Sequence, residues 1–398
     1  MVATAWCLLL AAAVGWTAIA LGALWLRFRV PKLGADAGIA SAGATPVSVV
    51  VAARDEAAAV EAAIGSLLKQ EYPDLTVVAV DDRSRDATGS ILDRLTARDP
   101  RLAVIHIRDL PAGWLGKNHA HHVGAAAARG EWILFTDGDV LFAPDTLARC
   151  VAYAEANSLD HLVALPHFIA PHRLERAFVA SFGLFVSMRF QPWGLRRAGS
   201  RAFIGIGAFN LVRRSAYASI GGHARLPLEV LDDAKLGMIL RRSGFRQAAV
   251  DSEGRVRVRW NAGFRATVAG LLKNSYAAIE WQPALAVAAA LGFAVQLLAP
   301  LAGLAAAAGG LRGLAAYSVA VATLLHVGAV RRVAGGNGLE GLAWPVAGAA
   351  LLAVSLAGPL LATLRGGIDW RGTRYRLADL RRGCVRESEW PASRAPGW

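Results

Sequence analysis

Two hydrophobic patterns divide the chain. Residues 1–26 carry no charged side chain, and Arg27, Arg29 and Lys32 follow. Such a run is long enough to cross a hydrocarbon core of roughly 30 Å as a helix. No basic residue precedes it within 1–6, as one would in a cleaved signal peptide, so 1–28 reads as an uncleaved transmembrane anchor with residue 27 onward in the cytoplasm. Three more uncharged stretches, 283–311, 313–330 and 342–364, come late and predict a C-terminal transmembrane region over 283–364 of two to three segments, buried core helices being the alternative. Three crossings would leave the basic tail 365–398, with Arg371, Arg374, Arg376, Arg381 and Arg382, outside the cytoplasm, against the charge rule. Either one stretch is re-entrant or interfacial, with 342–364 (Gly348, Gly358, Pro359) as the candidate, or the tail breaks the rule. Residues 177–188 suit a helix at the membrane surface or one buried in the soluble domain.

Between these runs the pattern changes to short β-branched strings alternating with helical spacing, the signature of an α/β domain. Strands are predicted over 47–51, 76–80, 102–107 and 132–135, and helices over 56–69, 86–98, 116–128 and 233–242. Ligands of open α/β sheets sit beyond the carboxyl ends of the strands, and two acidic clusters fall there. Asp81 and Asp82 follow the second strand; Asp137 and Asp139 flank Gly138 after the fourth. Two carboxylates so placed can present oxygens to one divalent cation, a hard site suited to Mg²⁺ or Mn²⁺ bridging phosphates. The alternatives are a helix cap, which Asp86 suits, and an Asp-Gly hairpin turn.

Composition narrows the class. With 55% hydrophobic and 18% charged residues, the chain is neither disordered nor an ordinary water-soluble globule. Its formal charge of +13 fits contact with anionic lipid, and no basic motif supports a nucleic-acid partner. Cys7, Cys150 and Cys384 form no CxxC pair, which argues against a disulfide framework or a zinc site. His119, His121 and His122 share one predicted helix, but His-Glu-x-x-His is absent, so they read as structural or as neighbours of a bound substrate.

Motif order carries the remaining information: Ala53-Arg54-Asp55-Glu56, Gln70-Glu71-Tyr72-Pro73, Asp81 to Asp86, Gly113-Trp114-Leu115-Gly116-Lys117, Phe135 to Val140, Gly205-Ile206-Gly207-Ala208-Phe209-Asn210 and Leu231 to Gly237. Over residues 45–280 the chain resembles a family 2 glycosyltransferase of the GT-A fold, a Rossmann-like mixed sheet flanked by helices. Its layout is similar to membrane enzymes that glycosylate ceramide, hopanoids and carotenoid acids. The resemblance implies that Glu56, Asp81 or Asp82 contacts the nucleoside of a nucleotide-sugar donor, and that Asp139, with Asp137, holds the cation. Lys117 would add positive charge near the donor, unless it is a solvated lysine at a helix start. Asp232 and Asp233 match the position of the general base, Asp233 being favoured over a helix cap, while Arg241 and Arg242 read as surface charges at that helix's carboxyl end.

Processive synthases of this family carry Gln-x-x-Arg-Trp, and here Val256 precedes Arg259-Trp260 in the glutamine's place. The expectation is therefore an inverting, metal-dependent transfer of one sugar to a membrane lipid at the cytoplasmic face. Arg259 is a candidate for contacting the diphosphate, and Lys273-Asn274 for the acceptor or an interfacial anchor. A processive polysaccharide synthase is the alternative enzyme, and a catalytically silent scaffold or transport component the alternative of another class. A transporter would place ionisable groups in its spans, where the late segments hold only His326.

Overall fold

Valine-rich strings too apolar to face water on either side build the centre of a sheet. In the computed structural model, which describes residues 2–34, 45–259 and 263–390, Val47–Ala53 is buried along almost its whole length. It pairs in parallel with Leu75–Asp82 on one side and Trp132–Asp137 on the other. Leu102–Ile107 extends the first side in parallel. On the second side Asn210–Arg213 runs antiparallel between Trp132–Asp137 and His161–Leu165, and Gln247–Asp251 closes that edge. The result is the expected α/β class with a mixed seven-stranded sheet.

Strands run further than the apolar strings alone predict, and this matters for the site. Ala53 is level with Asp81, and Ala52 with Asp137. The loop bearing Glu56, the Asp81–Asp82 pair and Asp137 therefore leave the sheet along one edge. Four helices fall where the 3.6-residue period puts them, at Val60–Leu68, Thr88–Thr96, Gly116–Ala127 and Asp232–Arg242. Asp86 stands one residue before the cap position Ala87 and accepts the Thr88 N–H at 2.9 Å.

The sheet belongs to a compact unit of residues 30–167, 192–259 and 369–398. Its last segment is tied down: Arg371 Nη2 meets Glu56 Oε1 at 2.5 Å, and the Val385 N–H donates to Glu229 Oε2 at 3.0 Å.

The second unit comprises residues 1–29, 168–191 and 260–368. Four of its helices, Val2–Arg29, Pro283–Ala306, Gly309–Val333 and Leu339–Leu364, are long and apolar enough to cross a membrane. Val14, Leu291 and Leu324 on them are left exposed, as apolar side chains facing hydrocarbon would be. The apolar stretch 177–188 lies in a helix, Arg173–Phe190, that groups with this unit. Phe178 packs there with Leu271, Ala347, Leu351 and Val354, and Arg176 pairs with Glu340 at 2.8 Å. His326 sits between Trp16 and Trp344, with ring centroids 5.8 and 5.7 Å away, and Nδ1 donates to the Ala322 carbonyl. Packing thus accounts for this residue.

Candidate active site

Loops after the first two strands hold each other. Asp55 Oδ1 accepts the Arg85 N–H at 2.8 Å, and the Asp55 N–H donates to Ser84 Oγ. Asp55, Arg83 and Arg371 adopt positive φ of 53°, 57° and 48°, a conformation that costs about 1 kcal/mol or more per residue and persists only where its surroundings enforce it. Arg371 supplies part of that enforcement by donating to the Arg54 carbonyl at 2.8 Å as well as meeting Glu56.

Consecutive strand residues point to opposite faces, so the Asp81–Asp82 pair divides. Asp81 turns to His106 Nδ1 at 3.0 Å and the Ser84 N–H at 3.2 Å. Asp82 is buried in a two-point contact with Arg83, at 2.7 and 3.0 Å, with Arg54 Nη1 at 3.6 Å. Its Oδ2 also lies against Gly116, where a side chain would overlap it.

Next to Gly116, Lys117 reaches Asp137 Oδ1 at 2.8 Å and Asp232 Oδ1 at 3.8 Å. Burial works against its ammonium, but Asp137, Asp232 and Asp233 outweigh it and push the pKa up. Asp233 is held by two backbone donors, the Gly207 N–H at 2.6 Å and the Ala234 N–H at 2.7 Å. A Cβ at Gly207 would sit 2.7 Å from Asp137 Oδ2, 2.9 Å from Lys117 Nζ and 3.4 Å from Asp233 Oδ2. Residues 117, 137, 207 and 233 therefore converge on one point. Burial and the neighbouring Asp232 charge raise the pKa of Asp233. For Asp232, burial is outweighed by Lys117, His121 and His223, which hold it well below the usual carboxylate range.

Asp139 is mostly buried. Desolvation, then Asp137 and Glu56, push its pKa up to about 7; desolvation also raises Glu56 against the pull of Arg371, with Asp137 adding to the rise. These three carboxyls thus feel one another as negative charge. Hard oxygens crowded together, as at Glu56 and Asp139 whose pKa values are raised, are the donor set a divalent cation neutralises.

Of the residues singled out in the sequence, Glu56, Asp137, Asp139, Lys117, Asp232 and Asp233 form one electrostatic group, and Asp82 lies alongside through Gly116. Asp81 faces away toward His106. Arg259 is exposed just after Val258, which pairs with Val140, and is tied to none of these carboxylates by a described ion pair; Trp260 lies outside the described residues. Arg241 and Arg242 are not surface charges. Both are buried, because 197–201 covers the helix end, and they donate to the carbonyls of Arg197 and Arg201 at 3.2 and 3.1 Å. Sequence reasoning gave no role to Arg54, His223 or Arg371, whose contacts with Asp82, His121 and Glu56 join separated stretches of chain and leave no spacing signal.

A cavity of about 900 Å³ opens along the same unit, lined by Arg83, Arg108, Trp114, Tyr375, Arg376 and Arg382 among others. None of the grouped carboxylates lines it. Its lining sets these arginines beside Asp109 and Asp379, and Arg83 connects it to Asp82.

Residues 48–221 match the sequence model of glycosyl transferase family 2. The chain is 34% identical over 114 residues to the uncharacterized glycosyltransferase EpsJ of Bacillus subtilis, covering 29% of this chain and 32% of that one. It is 40% identical over 110 residues to the succinoglycan biosynthesis protein ExoO of Rhizobium meliloti, covering 28% and 30%. The chain thus matches about a third of the length of these curated relatives. Among solved structures, it is similar to the mannosyltransferase PcManGT of Pyrobaculum calidifontis, solved with GDP-Man and Mn²⁺, with a TM-score of 0.55 at 18% identity over 86% of this chain and 97% of that one.

Proposed function

We propose that this chain, whose residues 48–221 match the family 2 glycosyltransferase model and whose fold is similar to that of a solved mannosyltransferase, carries out an inverting, metal-dependent transfer of a sugar from a nucleoside diphosphate donor to a membrane lipid at the cytoplasmic face. The observation that carries it is the convergence of Asp137, Lys117 and Asp233 on Gly207, with Asp139 and Glu56 alongside.

Asp233 is the base. Its two backbone donors fix the carboxylate's direction, and its raised pKa makes it a stronger proton acceptor than a free aspartate. The acceptor hydroxyl gives its proton to Asp233 as its oxygen bonds to the anomeric carbon. The bond from that carbon to the diphosphate oxygen breaks, and the electron pair leaves with the nucleoside diphosphate. Asp232 keeps its charge beside the base, and Lys117 sets positive charge between the two acidic groups. Asp139 and Asp137 would hold Mg²⁺ or Mn²⁺, whose chemistry when bound is to neutralise charge on the leaving diphosphate. Glu56 and Asp82 serve the nucleoside end, and Arg259 follows Val258, the register partner of Val140 next to Asp139. The four apolar helices support a membrane-held acceptor.

Purified membranes incubated with a panel of radiolabelled nucleotide sugars, with and without a chelator, test this. Label should enter the lipid extract, should be lost on chelation, and should be absent with Asp139→Ala and Asp233→Ala. Label that persists in both variants overturns the mechanism. Label in a high-polymer fraction assigns a processive synthase, and no label from any donor assigns the silent scaffold.

A further inference from the structure

Behind Asp233, in the interior, His121, His223 and Asp232 bring one donor atom each to within 4.8 Å of one another, and all three side chains are buried. We propose that this trio binds a first-row transition ion of the zinc class, at a site separate from Asp137 and Asp139. The proposal does not depend on the transferase reading.

Distances are the first support. His121 Nδ1 lies 3.5 Å and His223 Nε2 3.8 Å from Asp232 Oδ2. Hydrogen-bonded pairs close to about 2.7–3.2 Å, so these gaps are too long for a direct bond. Two ligands sharing a tetrahedral ion, with metal bonds of about 2.0–2.1 Å, stand roughly 3.4 Å apart.

Unmet polar demand is the second. Both ring nitrogens of His121 and Oδ2 of Asp232 are buried with no hydrogen-bond partner among the described residues. Each such atom costs about 1–3 kcal/mol if left so, and one ion held by His121 Nδ1 and Asp232 Oδ2 would satisfy two of the three. The third is orientation. Tyr217 Oη lies 2.8 Å from His223 Nδ1 and accepts the His223 backbone N–H. In the tautomer with the proton on Nδ1, the Nε2 lone pair is free for a metal, the usual outer arrangement of a ligating histidine.

Charge and walls agree. Lys117 lies closer to Asp137, at 2.8 Å, than to Asp232, at 3.8 Å, so the Asp232 carboxylate keeps negative charge for an ion to balance. Phe135 packs tilted against His121 at 5.3 Å and edge-on to His223 at 4.8 Å, keeping the site dry. Two imidazoles and one carboxylate select a nitrogen-preferring ion over Mg²⁺. Lys117 faces the other oxygen of Asp232, so the carboxylate spans ammonium and ion. The ion would thereby fix the residue next to Asp233 and act as a positioning element.

The test is elemental analysis of the detergent-purified full chain, followed by titration of Zn²⁺ and Co²⁺ into chelator-treated protein. About one equivalent of tightly held zinc per chain, a rise in melting temperature on adding one equivalent, and a visible Co²⁺ spectrum of a low-coordinate nitrogen and oxygen site are expected. His121→Ala and His223→Ala should each lose the equivalent, whereas Asp139→Ala should retain it and lose only transfer. The titration of the unmodified chain decides the matter even if a histidine variant does not fold. Chelated protein that takes up neither ion, or a folded His121→Ala that keeps a full equivalent, overturns the proposal whether or not the chain transfers sugar.

Discussion

Substituting Gly207 by alanine adds one methyl group where three polar side chains meet. Its φ is outside the left-handed region, so the backbone accepts alanine without strain. The new Cβ would stand 2.7 Å from Asp137 Oδ2 and 2.9 Å from Lys117 Nζ, where ordinary contacts begin at 3.4 Å. The tips of these two side chains must therefore retreat by about 0.5–0.7 Å, and Asp233 Oδ2, already at 3.4 Å, becomes crowded. Both retreating groups are flexible ends, so the fold should lose less than about 1 kcal/mol, below the usual cost of overpacking. Geometry at the reacting centre is less forgiving, since a displacement near 1 Å costs about 100-fold. We expect Gly207→Ala to lower kcat/KM by about 10- to 100-fold, or roughly 1.4–2.7 kcal/mol of transition-state stabilisation, with a melting temperature close to that of the unmodified chain. Initial rates of label transfer, measured alongside thermal unfolding, separate the two. Activity within threefold of the parent would show that the convergence on Gly207 is incidental, and the reasoning would fail.

Other expectations follow from the same packing. Gly205→Ala drives a methyl into the Asp233 backbone, with Ala234 N only 2.9 Å away, and should destabilise the fold by about 1–3 kcal/mol; an unchanged melting curve would contradict this. Gly65→Ala meets nothing within 4 Å inside the helix Val60–Leu68 and should stabilise by up to about 1 kcal/mol, read by denaturant unfolding. Asp233→Asn should cut turnover by about 10²–10⁴-fold while donor affinity, read by calorimetry, is kept. Asp81 and then Asp93 raise the pKa of His106. A histidine raised in the folded state contributes stability that is full below its unfolded pKa of about 6.5 and is lost as pH rises through the higher folded value. His106→Ala should accordingly lower the melting temperature at pH 5.5 more than at pH 8.5, and an equal loss at both would refute the pairing.

Much of the fold could be read from the chain because its central strands are unbroken β-branched strings, a pattern that amphipathic helices do not imitate. Their ends were harder. Asp81, Asp82 and Asp137 are acidic yet lie within strands, since backbone pairing to neighbours continues past the last apolar residue. The acidic cluster was legible as a set, but the division of Asp81 from Asp82 follows from pleating and emerges only once the strand is known to include both. Arg241 and Arg242 fit the rule that cations favour helix carboxyl ends; their burial depends on the carbonyls of Arg197 and Arg201 more than 40 residues earlier. Glu56 and Arg371 stand 315 positions apart, and His121 meets His223 only through tertiary packing. No local spacing encodes such pairs.

The anchored tail has a topological consequence. Polypeptide that leaves the sheet unit at Arg259 rejoins it at Asp369, and the Glu56–Arg371 and Glu229–Val385 links hold that return in place. Any excursion through a bilayer in that interval must be undone before the chain comes home. Were the three long apolar helices in between to enter a bilayer, these links would permit only an even number of complete traversals.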